Sequence, residues 1–180
     1  MELEKTFIEG LQIIHLKKMP DNRGAFTKIF NNDFFIENNL TTDFKESYFS
    51  VSHKDVIRGM HFQVPPAEHI KLVFVNHGSI IDVVLDIRKE SATYGKYFYT
   101  LVTDSQPKLI YIPVGCAHGF LSLQDNTIVS YIQTSVYNKE CDFGIRWDSF
   151  GMNWKIDTPI ISQRDFLFIN FSNYKTPFTL

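Results

Sequence analysis

The fold of this chain is decided by residues 71–87, KLVFVNHGSIIDVVLDI, where two apolar runs flank the dipeptide His77-Gly78. Val, Ile and Phe dominate both runs, and branched or aromatic side chains pack well on the pleated surface of a sheet. Runs of the same kind recur at 10–16, 24–30, 45–53, 95–102, 108–112, 120–123 and 127–136. Short turns separate them, so the sequence predicts an all-β protein, an antiparallel sandwich or barrel.

One domain is expected over residues 1–180, because a chain of this length can bury one full-sized core. Hydrophobic residues make up 44% of the chain and aromatic residues 15%, which is ample for that burial. A short helix is predicted at 33–39, with Asn32 or Asp33 near its N-cap. The tail at 166–171 is too apolar to lie free in solvent, so we expect it to pack against the domain.

The charge and the ends of the chain bear on its partners. The 18 basic and 20 acidic residues give a net charge of −2, so no nucleic acid is expected as a partner. Residues 1–5, MELEK, lack the apolar core of a signal peptide, and no apolar run is long enough to cross a membrane. Cys116 and Cys141 form no Cys-x-x-Cys motif. We therefore expect a reduced, cytoplasmic protein without a membrane partner.

Two histidines stand out because each follows a glycine in a β-rich stretch. His61 lies in residues 56–63, VIRGMHFQ, and His118 lies in residues 111–120, YIPVGCAHGF. Lys71 opens a strand between them, and Arg58 precedes the first histidine. A single histidine of this kind is usually a core residue, but two imidazoles beside two cations indicate a bound anion. Such a group suits an anionic, carbonyl-bearing substrate and proton transfer beside the carbonyl.

A metal site is the alternative for these histidines. His61, Gln63 and Glu68, followed by His118, are similar to the two motifs of the cupin superfamily, whose metal-binding members carry two histidines one residue apart. Gln63 replaces the second histidine of that pair here, and Lys71 would repel a divalent cation. The sequence therefore favours no metal, and a metal-dependent cupin dioxygenase or isomerase stays as the alternative.

Two tyrosines and a carboxylate each have a packing interpretation and a catalytic one. Tyr131 and Tyr137 are six residues apart, so on one strand both would face the same side. Either they are packing residues, or Tyr131 donates a proton opposite His61 and Tyr137 stacks on a nucleobase. Asp165 is either a solvated turn residue or the hydrogen-bond partner of His61. Residue types and spacing leave these alternatives open.

A series of motifs then runs in order from about residue 8 to residue 165. These are Asp21-x-Arg23-Gly24-x-Phe26, Arg58-Gly59-Met60-His61-Phe62-Gln63, Lys71-Leu72-Val73, Asp82-Val83-Val84-Leu85-Asp86-Ile87-Arg88, Ile112-Pro113-x-Gly115-x-Ala117-His118-Gly119-Phe120, Gly144-Ile145-Arg146-Trp147-Asp148 and Ser162-x-x-Asp165. In these motifs the chain resembles the dTDP-4-dehydrorhamnose 3,5-epimerase family.

The resemblance implies a fold and a set of catalytic residues. The fold would be a double-stranded β-helix, a cupin-like jelly roll with short peripheral helices, in a homodimer without metal or other cofactor. His61 would be the base, Asp165 its partner and Tyr131 the acid. Lys71 and His118 would contact the keto group of the sugar.

The resemblance also implies how the nucleotide diphosphate is bound. Arg23 and Arg58 would hold the diphosphate and its surroundings, and Phe26 and Tyr137 would flank the base. Residues near Arg23 and Phe26 often come from the partner subunit in this family.

Two predicted substrate-binding positions depart from the family pattern. Lys28 stands where the family usually has Glu, and Glu46-Ser47-Tyr48 stands where it usually has Gln-Asp-Asn. The nucleotide therefore stays open between dTDP, GDP and CDP, as does inversion at C3, at C5 or at both.

The sequence as a whole predicts an enzyme that binds a nucleotide-diphosphate 4-keto sugar. It would be a 3,5- or 3-epimerase of a nucleotide-linked 4-keto-6-deoxyhexose or heptose. A non-catalytic nucleotide-sugar binding barrel is a further alternative, which would bind the ligand without exchanging its hydrogens with solvent.

Overall fold

The computed structural model describes residues 1–179, most of whose ordered elements are strands. In chain order the strands are β1 (Glu2–Lys5), β2 (Gln12–His15), β3 (Lys18–Asp21), β4 (Gly24–Thr27), β5 (Glu46–Ser52), β6 (Ile57–Gln63), β7 (Lys71–His77), β8 (Ser79–Asp86), β9 (Tyr97–Thr103), β10 (Lys108–Ile112), β11 (Cys116–Ser122), β12 (Thr127–Gln133) and β13 (Asp142–Gly144). The helices are α1 (Asn32–Glu37) and α2 (Gln163–Phe166), and a 3₁₀ turn spans Phe171–Asn173.

The strands form two antiparallel sheets and a separate hairpin. One sheet has six strands in the order β1-β2-β10-β7-β12-β5, and the other has five in the order β13-β6-β11-β8-β9. Strands that are distant in sequence lie side by side, as in β2 beside β10 and β5 beside β12, which is the connectivity of a jelly roll. The predicted all-β, cupin-like jelly roll with short peripheral helices is confirmed.

Strand β7 shows why the deciding stretch has apolar residues on both faces. Val73 and Val75 belong to the core between the two sheets, whereas Leu72 and Phe74 belong to a second core on the outer side of the six-stranded sheet. Helix α1 covers that outer core with the fully buried Phe35. Because successive side chains of a strand point to opposite faces, Lys71 lies on the same face as Val73 and Val75. The ammonium of Lys71 therefore lies in the space between the two sheets.

The five-stranded sheet is also covered on its outer side. Val83 and Leu85 of β8 pack there against Trp154 and Phe178 from the C-terminal segment. The predicted packing of the tail at 166–171 is found only in part: Phe168 contacts the ring of His61 edge-on at 5.6 Å between ring centroids and Phe171 packs on this core. The other apolar side chains of the tail, Phe166, Leu167 and Ile169, are exposed. None of the helices within residues 1–179 is long and apolar enough to cross a membrane.

Two glycines allow β6 and β11 to approach closely. Gly59 has φ +132°, and a Cβ built there would lie 2.5 Å from Gly119 Cα and 2.9 Å from the His118 carbonyl oxygen. A Cβ on Gly119 would lie 2.8 Å from the Arg58 carbonyl oxygen. The close approach brings His61 opposite His118 in the strand register.

Several predicted boundaries are wrong. Strand β11 begins at Cys116 rather than at residue 120, because the turn that ends at Gly115 leaves Cys116 free to pair with Asp86 of β8. Strand β12 ends at Gln133, so Tyr137 lies beyond it and does not share a strand with Tyr131. The N-cap of α1 is Asn31, whose side chain accepts a hydrogen bond from the Phe34 amide. Strands β1, β3 and β13 were not predicted.

Candidate active site

A cavity of about 460 Å³ lies between the two sheets. Seven of the residues predicted for the site line it, namely Glu46, Arg58, His61, Lys71, His118, Tyr131 and Tyr137. Strands β5, β7 and β12 supply one wall, and β6 and β11 supply the other. His61 and Tyr131 therefore face the cavity from different sheets.

Asp165 lies behind His61 and fixes the orientation of its ring. The Nε2–H of His61 donates to Oδ1 of Asp165 over 2.9 Å, and Oδ2 of Asp165 accepts the Gly59 amide over 3.0 Å. The side chain of Ser162 caps the short helix α2 and so holds Asp165 in place. Since Nε2 carries the hydrogen, the other ring nitrogen, Nδ1, has the free lone pair. Within residues 1–179, Nδ1 has no hydrogen-bond partner.

The local environment keeps this imidazole neutral and this carboxylate ionised. Burial lowers the pKa of His61 below its ordinary value, and the hydrogen bond to Asp165 only partly offsets that effect. Burial raises the pKa of Asp165, but the hydrogen bonds from His61 and Gly59 outweigh it and hold the pKa below the usual range. A neutral imidazole with a fixed tautomer near neutral pH is the form that a general base needs.

Lys71 is a buried ammonium in the wall of the cavity. Its exposed fraction is 7%, and within residues 1–179 its Nζ has neither a salt bridge nor a hydrogen bond. Burial lowers the pKa of Lys71 to about 8, against the raising effect of Asp142 and Asp82. The group is thus mostly protonated at neutral pH, and an unpaired buried cation is costly unless an anionic or polar ligand meets it.

Tyr131 lies on the opposite wall from His61, on β12. Its phenol oxygen is 3.2 Å from Ser50 Oγ, and its ring meets the ring of His118 edge-on. Burial raises the pKa of Tyr131 well above the ordinary value, and the hydrogen bond from Ser50 does not reverse this. The phenol therefore keeps its proton over the whole physiological range and can act as a donor.

His118 is held by a carboxylate that was not predicted as a site residue. Its Nε2 is 2.7 Å from Oδ2 of Asp82, and both side chains are buried. Asp82 is the only charged residue within the run SIIDVVL of β8. A charge in an apolar strand needs a buried partner, and that signal could have identified Asp82 from the sequence.

The polar rim of the cavity carries Arg58, Glu46 and Tyr137. The Arg58 guanidinium donates to Ser52 Oγ and to the Val51 carbonyl, each over 3.0 Å. Oε2 of Glu46 accepts from the backbone amide of Tyr137 over 2.7 Å. Tyr137 is thus fixed at the rim even though it lies outside β12.

Three predicted substrate-binding residues lie away from the cavity. Arg23, Phe26 and Lys28 are exposed, on or beside the hairpin of β3 and β4, and none of them lines the cavity. The Arg23 guanidinium pairs with Asp21 at 2.6 Å. They therefore form no part of the lining of the cavity that contains His61 and Lys71.

Some lining residues were missed because their neighbours come from distant parts of the chain. Arg164 pairs with Asp142 of β13 at 2.7 Å, and both residues line the cavity. Tyr48 and Ser50 of β5 line it as well. Tyr48 belongs to the run 46–48 that departs from the family pattern, but no role was assigned to it. The contacts of all four residues depend on how distant parts of the chain pair.

The polar residues around Gln63 are bonded to one another and to the backbone. Nε2 of Gln63 donates to the Ala67 carbonyl over 2.8 Å, and Oε1 accepts the Asn138 amide over 2.7 Å. Burial lowers the pKa of the neighbouring His69 to about 3, so this ring is neutral. Among residues 1–179, no three His, Cys, Asp or Glu side chains are grouped as metal ligands.

Comparison with known proteins identifies the family. The model of the dTDP-4-dehydrorhamnose 3,5-epimerase family matches residues 5–173. A dTDP-4-dehydrorhamnose 3,5-epimerase of Methanothermobacter thermautotrophicus is 41% identical over 166 residues, which cover 89% of this chain and 89% of that protein.

Solved structures agree with this result. The dTDP-4-dehydrorhamnose 3,5-epimerase of Bacillus anthracis, with TDP and PPi bound, has a TM-score of 0.90 at 29% identity and covers 94% of this chain and 98% of its own. The dTDP-6-deoxy-D-glucose-3,5-epimerase of Legionella pneumophila, in complex with dTDP-4-keto-L-rhamnose, has a TM-score of 0.91 at 30% identity, over 97% of this chain and 94% of its own. The predicted family and the predicted class of enzyme, an epimerase, are confirmed. This chain belongs to the dTDP-4-dehydrorhamnose 3,5-epimerase family.

Proposed function

We propose that this chain inverts one or both carbons beside the C4 ketone of a dTDP-linked 4-keto-6-deoxyhexose, without a cofactor. The choice of dTDP is supported by the Bacillus anthracis and Legionella pneumophila structures, which hold TDP and dTDP-4-keto-L-rhamnose. GDP and CDP sugars remain to be compared, because Lys28 and Glu46 depart from the family pattern.

The observation that carries the proposal is the unpaired ammonium of Lys71 in a cavity that also contains a neutral His61 and a protonated Tyr131. A hydrogen beside a ketone becomes acidic only when the charge that develops on the carbonyl oxygen is stabilised. Lys71 can meet that oxygen, and His118, held by Asp82, can assist.

The reaction then follows in two proton transfers. Nδ1 of His61 takes the proton from the carbon beside the ketone, and the electron pair of the C–H bond moves into an enolate whose charge rests on O4. Tyr131 then gives its proton to the opposite face of the same carbon, and O4 becomes a ketone again. Inversion requires a base and an acid on different walls, which is how the two sheets present these residues.

The expected contributions to the rate are consistent with these separate roles of Lys71, His61 and Tyr131. A well-placed donor at a developing oxyanion contributes about 3 kcal/mol of transition-state stabilisation. A positioned base or acid contributes roughly 10²–10⁴-fold in rate. Asp165 acts indirectly, by holding the tautomer of His61 and stabilising the imidazolium that forms.

We propose that the nucleotide diphosphate is bound at the rim, with Arg58 on the diphosphate and Tyr137 against the base. Arg23, Phe26 and Lys28 would then come from a second copy of the chain in a homodimer. Their exposure on a hairpin outside their own cavity supports this arrangement.

Residues 1–180 would form one epimerase domain in the cytoplasm. The family model spans 5–173, which supports a single unit. Cys116 and Cys141 are both free and buried, which fits a reducing compartment.

The proposal is tested by incubating the protein with dTDP-, GDP- and CDP-linked 4-keto-6-deoxyhexoses in deuterated water. We expect deuterium beside the ketone of the dTDP sugar, without added metal, and in a chelator as well. Mass spectrometry counts the deuterons, and proton NMR shows whether C3, C5 or both have been inverted. Binding of the dTDP sugar without any exchange would instead support a non-catalytic binding barrel.

A further inference from the structure

One aromatic contact in the cavity has no part in the two proton transfers. The ring of Tyr48 lies 4.7 Å from the ring of Tyr131, with an interplanar angle of 20°, so the two rings are stacked. The two residues are also direct partners in the pairing of β5 with β12. Stacking of two rings is attractive and restricts the rotation of both.

Three contacts hold the ring of Tyr131. The hydroxyl of Tyr131 lies 3.2 Å from Ser50 Oγ. The ring of His118 contacts the ring of Tyr131 edge-on, with 6.3 Å between the ring centroids. Tyr48 covers its face. The ring is also buried in the core between the sheets, with 7% exposed, so the stack with Tyr48 adds a restraint on one face to those of the core and of His118.

Tyr48 is itself anchored in the wall of the cavity. Its hydroxyl donates to Oε1 of Gln133 over 3.4 Å, and Nε2 of Gln133 donates to Oε2 of Glu46 over 2.8 Å. Tyr48 is 43% exposed, and desolvation of the part of the ring that faces the cavity, with a smaller contribution from the charge of Glu46, raises the pKa of Tyr48 to about 12. The ring therefore stays neutral, and the stack persists over the pH range in which the enzyme would work.

We propose that Tyr48 is a positioning residue for Tyr131, which it holds in the orientation that protonates the enolate on the face opposite to His61. This inference rests on the proposed function, because it needs Tyr131 to be the acid. When Tyr131 is out of position, the enolate lives long enough for the imidazolium of His61 to exchange its proton with solvent and then return a solvent hydrogen to the original face. The sugar then regains its starting configuration but carries a hydrogen from solvent.

The measurable quantity is therefore the number of inversions per hydrogen exchanged. It is obtained in deuterated water by mass spectrometry for exchange and by NMR for configuration. The variants are Tyr48→Leu, which removes the stack, and Tyr48→Phe, which keeps it. Tyr99→Leu is the matched control, because Tyr99 is an exposed strand tyrosine of β9 that does not line the cavity.

We expect Tyr48→Leu to lower the inversions per exchange by roughly threefold to tenfold, the size of one aromatic pair, while the exchange rate changes by less than about twofold. Tyr48→Phe and Tyr99→Leu should keep the wild-type ratio. If Tyr48→Leu does not fold, Tyr48→Thr serves as the second variant, since Thr favours strands and also removes the ring.

Two outcomes separate this inference from the proposed function. A wild-type ratio in Tyr48→Leu or Tyr48→Thr, with or without a loss of total rate, would overturn the role of Tyr48 and leave the function standing. A wild-type ratio in Tyr131→Phe would overturn Tyr131 as the acid and with it the role of Tyr48, while the inversion itself would still support the proposed function.

Discussion

Among single residues, the roles follow from which atoms are already engaged within the protein. His61 uses Nε2 to bind Asp165, so only Nδ1 is free to take a proton. Among residues 1–179 the Nζ of Lys71 has no salt-bridge or hydrogen-bond partner, so its ammonium is available to a ligand. Tyr131 keeps its proton because burial raises its pKa. Base, electrostatic stabiliser and acid are thus distinguished by their surroundings as well as by residue type.

Replacing the acid should separate inversion from exchange. Tyr131→Phe removes the donated proton but leaves the base in place. We expect inversion to fall by roughly 10²-fold, the usual contribution of a positioned acid. Exchange in deuterated water should fall much less, because His61 and Lys71 still form the enolate. Equal losses of inversion and exchange would mean that Tyr131 acts in the first proton transfer instead.

The pH dependence of kcat/KM should have an acid limb that arises from His61 and an alkaline limb that arises from Lys71. His61, whose pKa lies below its ordinary value, must be neutral, so activity falls only when the pH drops below that lowered pKa. Lys71 has a pKa of about 8 and must be protonated, so activity falls as the pH rises through that value. We therefore expect kcat/KM to be bell-shaped, with its alkaline limb near pH 8.

Lys71→Arg provides the matched test of the alkaline limb. Its guanidinium stays charged at any accessible pH, so the limb should disappear even if the rate is lower. An alkaline limb that persists unchanged near pH 8 in Lys71→Arg would assign it to another group.

Among the strands, the close approach of β6 and β11 is what sets the two histidines opposite each other. Gly59→Ala would place a Cβ 2.5 Å from Gly119 Cα, at a φ of +132° that Ala tolerates poorly. We expect a loss of about 3 kcal/mol or more in the free energy of unfolding in urea.

Gly24→Ala is the control for that loss. Gly24 has a similar φ of +135°, but a Cβ there would meet nothing within 4 Å. It should lose only about 1–2 kcal/mol, the cost of the backbone conformation alone. Equal losses in the two variants would show that the close approach of β6 and β11 adds nothing to the cost of a Cβ at Gly59.

Local sequence pattern predicts single strands but not the contacts that form between distant strands. Continuous apolar runs located β7 and β8 well, because both faces of each strand are buried. The start of β11 was missed, since Gly115 and the residues after it resemble a loop until pairing with β8 is known. Asp82 and Tyr48 were not assigned roles in the site, because their partners lie 36 and 83 residues away in the chain.

For the molecule as a whole, the open question is where the exposed hairpin acts. Arg23 and Phe26 lie outside their own cavity, so in the proposed dimer they complete the site of the partner. Arg23→Ala and His61→Asn should each be inactive alone, because each damages every site.

A mixture of these two variants tests that arrangement. Random pairing of equal amounts gives mixed dimers with one intact site, so about a quarter of the wild-type activity should return. The mixture must be unfolded and refolded together, and each variant treated alone is the control. No recovery in refolded mixtures would mean that Arg23 serves its own chain, and full activity of Arg23→Ala alone would mean that Arg23 does not bind the substrate.

The most direct test of the mechanism is the exchange of solvent deuterium into the sugar by His61→Asn. Asn cannot take up a proton, but it keeps the size and the polar character of the site. With the dTDP-linked 4-keto sugar we expect exchange beside the ketone to fall by about 10³-fold or more. Circular dichroism and ligand binding should stay as in the wild type. Exchange at the wild-type rate in a folded, ligand-binding His61→Asn would contradict the assignment of His61 as the base and the mechanism built on it.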